Sequence, residues 1–319
     1  MDKISMKALR KLIKDSELKH YEIAEGICDT GTLSNMLNEK RKMSHETYVK
    51  IMNKLGLNHN DFAGATTEED ANAILRRNEL KHLLRQSDAD SLDEAKKIIE
   101  EIANAPYFSQ DEGSQMLLGH RAALAGFAGE WEQMKKYAIQ GLEVTRTRGG
   151  KCFDEDKIDI YVLSIEEVKL VNQLAVAYAN MQQYSNALSK KSSLQKSIEI
   201  LVKLNTSLEN KFYHDEELAN IHIAMLYNLA TLLGKEKRFD DEIIYCDIGI
   251  KLCKRYRNGY IEPMFMLNKA WSLLCVGNEK DGKDLLQKAC AIFKATDRHD
   301  ELDTIQESVM KEFGITVVS

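Results

Sequence analysis

Beyond residue 70, apolar and polar positions alternate with the period of amphipathic helices, broken by short turns. Four segments align without gaps: LLGHRAALAGFAGEWEQM, VNQLAVAYANMQQYSNAL, LYNLATLLGKEKRFDDEI and FMLNKAWSLLCVGNEKDG. Each carries a small residue in its first helix, at Ala122, Ala175, Ala230 and Ala270. An aromatic follows nine positions later in three of them, at Trp131, Tyr184 and Phe239, while the fourth has Glu279. The pattern predicts a degenerate helical repeat with a period of about 34 residues or more. Helical stretches over 70–87, 91–106 and 300–313 extend and cap the array. The pair Gly149-Gly150, followed by KCFDEDKIDIY, marks a longer loop or an irregular repeat.

Ahead of the repeats, the stretch LKHYEIAEGICDTGTLSNMLNEKRKMSHETYVKIMNKLGL has a different organisation. A short helix from His20 to Glu25 is followed by a tight turn at Gly26-Ile27-Cys28. A second helix begins near Asp29, which serves as N-cap, and Leu33 and Met36 are spaced to bury one face. The opposite face presents Thr30, Thr32, Ser34 and Asn35, short polar side chains able to reach base edges. The basic loop Lys40-Arg41-Lys42 follows and supplies phosphate contacts. Turn, polar face and basic loop together predict a helix-turn-helix. The segment 58–70 is polar and reads as a linker, giving a head over 1–65 and a repeat body over 66–319.

Composition agrees with an all-helical chain. It has 319 residues, enough for two domains, and only two prolines, with low aromatic content. The net charge of −6 is unevenly placed. Residues 1–58 hold 11 Lys/Arg against 8 Asp/Glu, and the rest holds 33 against 42. A mildly basic head on an acidic body suits nucleic-acid contact by the head, and the modest excess makes a single copy a weak binder. No apolar run approaches the ~20 residues of a membrane span, and MDKISMKALRK lacks a signal-peptide core. The six cysteines form no CxxC pair and no zinc-spaced cluster, so no metal or cofactor is expected. They read as reduced thiols of a cytoplasmic protein. Cys28, near a helix N-terminus, is the one with a conceivable redox role.

The head resembles the helix-turn-helix of the XRE (lambda repressor/Cro-like) family. Ile23-Ala24 matches its apolar-Ala pair, Thr32-Leu33-Ser34 its recognition-helix run, and Asn38-Glu39-Lys40 its Asn-Gly-Lys turn. Glu39 stands where that family has glycine, Met43 where it often has proline, and Gly31 lies inside the recognition helix. The four aligned segments resemble tetratricopeptide repeats, which implies an all-α fold: a helix-turn-helix domain followed by a right-handed solenoid with a concave groove. In that frame the position two residues before each small alanine faces the groove, and it carries His120, Gln173, Asn228 and Asn268. Asn172 and Lys169 lie beside Gln173, and amides at these positions can hold a peptide backbone through both donor and acceptor. Tyr227, Met264 and Trp271 would form side-chain pockets.

Head and body together resemble the RRNPP family of peptide-pheromone receptors, the Rgg-, PlcR- and PrgX-type regulators. The resemblance implies a homodimeric, cytoplasmic transcription factor that binds double-stranded DNA and a short signalling peptide. Asn228 and Asn268 best match the family's backbone-clamping asparagines. The alternative is a helix-turn-helix regulator whose repeats hold a protein partner instead. An enzyme is disfavoured, since the chain has no Gly-rich phosphate loop, no GxSxG and no HExxH. The apolar stripe Leu302, Ile305, Val309 and Phe313, with the 315–318 tail, is expected to serve dimerisation.

Overall fold

The computed structural model describes residues 5–62, 65–86, 88–109, 111–146, 153–181, 187–208 and 216–315, and the regular structure of these residues is entirely helical. The chain forms two compact units, Met1–Gly129 and Glu130–Ser319. Tyr184, the Gly149-Gly150 break, Cys152 and residues 316–318 lie outside the described residues.

The first unit opens with α1 (Met6–Asp15), α2 (His20–Ala24), α3 (Thr30–Leu37) and α4 (His45–Lys54). Capping fixes where these helices start. The Ser5 hydroxyl accepts from the Ala8 N–H, Asp29 from Thr32 and Ser44 from Thr47. Leu9, Leu12, Ile23, Leu33, Ile51 and Met52 are the buried faces, and they meet in one core. Each such side chain contributes about 1.5–3 kcal/mol by leaving water.

The polar stretch expected to be a linker is a structured joint. A 3-10 turn, His59–Phe62, places Phe62 in the head core, and α5 (Glu68–Gln86) adds Ala71 and Ile74 to the same core. Asp70 is 2% exposed and holds the joint. Its Oδ2 accepts from the Thr66 N–H, the Thr66 hydroxyl and the Thr67 N–H at 2.9–3.0 Å. Its Oδ1 accepts from the Tyr107 N–H at 3.0 Å. Burial opposes the carboxylate, but donors from Thr67 and Thr66 outweigh it and lower its pKa. Arg77, also buried, pairs with Asp61 of the 3-10 turn at 3.2 Å. The unit is completed by α6 (Ala89–Ile102), α7 (Pro106–Ser109) and α8 (Asp111–Phe127). The compact unit thus runs well beyond residue 65.

The second unit contains α9 (Trp131–Arg146), a 3-10 turn Glu155–Ile160, and three helix pairs. These are α10 (Ile165–Met181) with α11 (Ala187–Leu208), α12 (Glu216–Lys235) with α13 (Phe239–Tyr256), and α14 (Glu262–Cys275) with α15 (Glu279–Ala295). A last helix, α16 (His299–Phe313), follows. Successive first helices α10, α12 and α14 touch one another, forming an inner layer. The repeat register read from sequence holds. Ala122, Ala175, Ala230 and Ala270 are all 0% exposed, and Trp131, Phe239 and Glu279 each begin a second helix. The repeats are longer than a 34-residue period, since α10 and α11 alone take 17 and 22 residues. Close packing also uses Gly249, whose missing side chain leaves room for the Phe265 ring of α14.

The apolar stripe of α16 is spent inside the unit. Leu302 and Val309 are buried against α14 and α15, and the Phe313 ring stands edge-on to Trp271 at 4.8 Å. The stripe therefore seals the last repeat, which leaves Met310 as the large exposed apolar side chain of this helix.

Candidate functional sites: the recognition helix and the inner helix layer

On the head, α3 presents Thr30 and Asn35 exposed, with Ser34 half-buried beside them. Thr32 is engaged locally: its hydroxyl donates to Asp29 Oδ2 at 2.6 Å and accepts from Arg41 Nη1 at 3.3 Å. The Asp29 carboxylate has a lowered pKa, caused first by the Thr32 hydroxyl and then by the Thr32 N–H. It therefore remains an anionic cap at the helix's positive end. Lys40, Arg41 and Lys42 are all exposed. They are positioned by a tight helix ending in which the Lys40 and Arg41 N–H groups both donate to the Asn35 carbonyl, at 2.9 and 3.1 Å. Glu39 supplies the left-handed residue of that ending, with φ 60°, where glycine is the strain-free choice. Its side chain pairs with Arg10 at 3.1 Å. Gly31 is exposed and lies beside Asp29, so a side chain there would crowd the cap. Cys28 is half-buried and its thiol is raised by burial and by Asp29, the opposite of an activated cysteine.

In the second unit the predicted amides sit on the inner layer. Asn228 Nδ2 of α12 donates to Asn172 Oδ1 of α10 at 3.2 Å, and Asn268 Nδ2 of α14 donates to Thr231 Oγ1 of α12 at 3.1 Å. Gln173 is half-buried on α10 next to Asn172. Lys169 is clamped between Glu166 at 2.8 Å and Glu217 at 2.6 Å. Burial disfavours its charge, yet the two carboxylates outweigh this and raise its pKa. Tyr227 packs edge-on to Phe265 at 5.7 Å, and burial raises its phenol. Met264 and Trp271 belong to the cluster closed by α16. His120 lies half-buried on α8 of the first unit.

Asn268 and Trp271 meet in a pocket of ≈ 400 Å³ bounded by α12, α13, α14, α15 and α16. Glu242, which sequence reasoning passed over, also lines it. It is 4% exposed, accepts from the Ser272 hydroxyl, and burial lifts its carboxyl to about 7. A signal for it existed: twelve positions after the small alanine the other repeats carry Met134, Ala187 and Gly282, and only this one carries an acid. Gly234 makes the space, since a side chain there would meet the Glu242 carboxyl at 2.5 Å. A second unread pair, Asn258 donating to Asn220 at 2.9 Å, joins the end of α13 to α12.

No family model and no curated protein matches the sequence. Solved structures do. One is PlcR of Bacillus thuringiensis in complex with the peptide PapR7 and DNA, 15% identical, covering 94% of this chain and 98% of that one with a TM-score of 0.57. A second is the SHP pheromone receptor Rgg2 of Streptococcus dysgalactiae, 14% identical over 96% and 99%, TM-score 0.51. A third is ComR of S. thermophilus with DNA and its signalling peptide ComS, 12% identical over 96% and 98%, TM-score 0.50. At such identities the likeness is one of fold, and it spans nearly the whole of each chain: a helix-turn-helix followed by helical repeats is the architecture this protein shares with PlcR, Rgg2 and ComR.

Proposed function

We propose that the protein is a cytoplasmic, homodimeric, DNA-binding transcriptional regulator of the RRNPP type, whose repeats bind a short signalling peptide that alters DNA binding. The observation that carries this reading is the amide row on the inner layer, Asn172–Asn228 and Asn268–Thr231, in a chain whose head presents an exposed recognition-helix face. Amides already oriented by neighbours can exchange those bonds for a peptide backbone at little ordering cost. In this reading residues 1–65 read DNA and 66–319 hold peptide and partner copy. Lys40, Arg41 and Lys42 contact phosphates, while Thr30, Ser34 and Asn35 face bases, with Thr32 orienting Arg41. Asn228, Asn268 and Gln173 clamp the peptide backbone, with Lys169 and Asn172 extending the row. Tyr227, Met264 and Trp271 contact peptide side chains. PlcR and ComR, solved with DNA and peptide together, support the pairing of functions on this fold.

The test selects a DNA site from random duplexes with the full-length protein. It then measures the affinity for that site against synthetic peptides taken from short reading frames flanking the gene. One of these is expected to change DNA affinity at least ~5-fold, the lower range of allosteric coupling. DNA binding untouched by every such peptide, together with co-purification of a stoichiometric protein on the repeats, would move the reading to a protein partner.

A further inference from the structure

Among the few polar groups that line the largely apolar pocket at the C-terminal end of the repeats, acceptors predominate. At its floor Glu242, more than nine-tenths buried, uses one carboxyl oxygen for Ser272. Its other oxygen has no protein donor among the described residues. Asn268 gives one of its two amide N–H groups to Thr231 and brings a carbonyl oxygen as a further acceptor. At the mouth, Thr304 and Ser308 donate their hydroxyl protons back to the carbonyls of Asp300 and Thr304 within α16, leaving only lone pairs for a ligand. The cation of the lining, Lys235, is exposed at the rim. Apolar walls, Trp271 among them, surround this polar set.

A buried acid in a helix interface weakens the fold unless something compensates it. The third repeat nevertheless keeps one, with Gly234 clearing the space for it, where the fourth has Gly282. Volume near 400 Å³, apolar walls and convergent acceptors are the features of a small-ligand site.

We propose that this pocket binds a cationic donor on an apolar stem, an ammonium or guanidinium group, with the Glu242 carboxylate as its counter-ion. The ammonium donates to the Glu242 carboxylate and to the acceptors beside it, the Trp271 ring favours a cation at its face, and the stem fills the apolar walls. Burial holds the empty carboxyl near 7, and an incoming cation would draw it to the ionised form. The assignment goes beyond the peptide reading, because it fixes ligand chemistry whether the cation is a peptide's lysine, arginine or a free amine.

The chain has two tryptophans, so a Trp131→Phe variant leaves Trp271 as the reporter. In that full-length background phenethylamine is expected to shift Trp271 emission saturably, at least ~10-fold more tightly than uncharged 2-phenylethanol. Glu242→Gln, which keeps an acceptor for Ser272, should erase the difference, and Ser308→Leu should block both probes without lowering the melting temperature. Pools of N-acetylated heptapeptides with lysine or norleucine fixed at one position separate the sources: a lysine preference lost in Glu242→Gln places the cation on a peptide, and its absence beside amine binding places it on a free amine. Equal binding of amine and alcohol, amine binding that survives Glu242→Gln, or no saturable response to millimolar amine each overturns the proposal. Amine binding in a protein whose DNA affinity ignores every peptide would leave the pocket standing and remove the peptide function.

Discussion

Arg41 and Thr32 are joined by a hydrogen bond of 3.3 Å, which ties the basic loop back to the first turn of the recognition helix. Thr32 in turn donates to Asp29, so cap, helix and loop form one hydrogen-bonded unit. Arg41→Ala should weaken binding to all DNA sequences alike and reduce the salt slope by about one, the signature of a lost phosphate contact. Asn35→Ala should instead change base preference. Mobility shifts across a salt series, on selected and scrambled duplexes, distinguish the two, and identical behaviour of both variants would defeat the assignment.

Glu39 holds a left-handed backbone at the end of α3 and places a negative charge beside three cations. Glu39→Gly should relieve about 1 kcal/mol of strain, less the small contribution of the exposed Arg10 pair. It should also strengthen DNA binding. A lower thermal midpoint for this variant would show that the Arg10 pair outweighs the strain.

Asp70 accepts from four donors in a buried joint. Asp70→Ala strands these donors and should cost about 3 kcal/mol in denaturant titrations. Its folded pKa is depressed, so its contribution is present above the unfolded value of 3.8 and is lost as pH falls through the folded one. An Asp70→Ala variant as stable as wild type at neutral pH would refute the joint.

Two buried groups should give the repeat unit opposite pH slopes. Glu242 has a folded pKa of about 7 against 4.5 when unfolded, so its destabilising effect is absent below about 4.5, grows through that window and is complete above 7. Glu242→Gln should therefore stabilise the protein by about 2–3 kcal/mol at pH 8 and by little at pH 4.5. His222, hydrogen-bonded to Asn205 at 2.9 Å, is lowered by burial to about 4 from 6.5. It should destabilise as pH falls from 6.5 towards 4, and His222→Gln should flatten that limb. Chemical denaturation at half-unit pH steps checks both signs.

Asn228→Ala and Asn268→Ala should each cost about 1–3 kcal/mol of peptide affinity, roughly 5- to 150-fold, with basal DNA binding retained. Calorimetry with a peptide active in the mobility-shift test decides. Unchanged affinity in both would make the amide row purely structural.

The helix-turn-helix was legible because Asp29, Leu33 and Met36 are local signals: cap and apolar spacing act within one helix. The repeat register was legible for the same reason, since Ala122, Ala230 and Ala270 each stand nine positions before the start of the next helix. The stretch 58–70 misled because Thr66, Thr67 and Asp70 have linker composition, while their role depends on Tyr107, 37 positions beyond Asp70. The α16 stripe was expected to serve a partner copy, and the burial of Leu302 and Val309 against the last repeat depends on tertiary packing that the local spacing does not encode. Glu242 lies inside the aligned segments but was missed because it follows Asp240 and Asp241 in the first turn of α13, where acids are ordinary helix-dipole partners, and its burial depends on tertiary packing.

Each repeat leaves an apolar flank on which another repeat could be laid, so a stack of such units has no natural length of its own. In this chain α16 supplies one. Its inner side is the stripe that covers α14 and α15, and its outer side is Asp303, Glu307, Lys311 and Glu312, all exposed. A single helix that is greasy on one side and charged on the other thereby acts as a full stop. It determines how many inner helices the second unit offers.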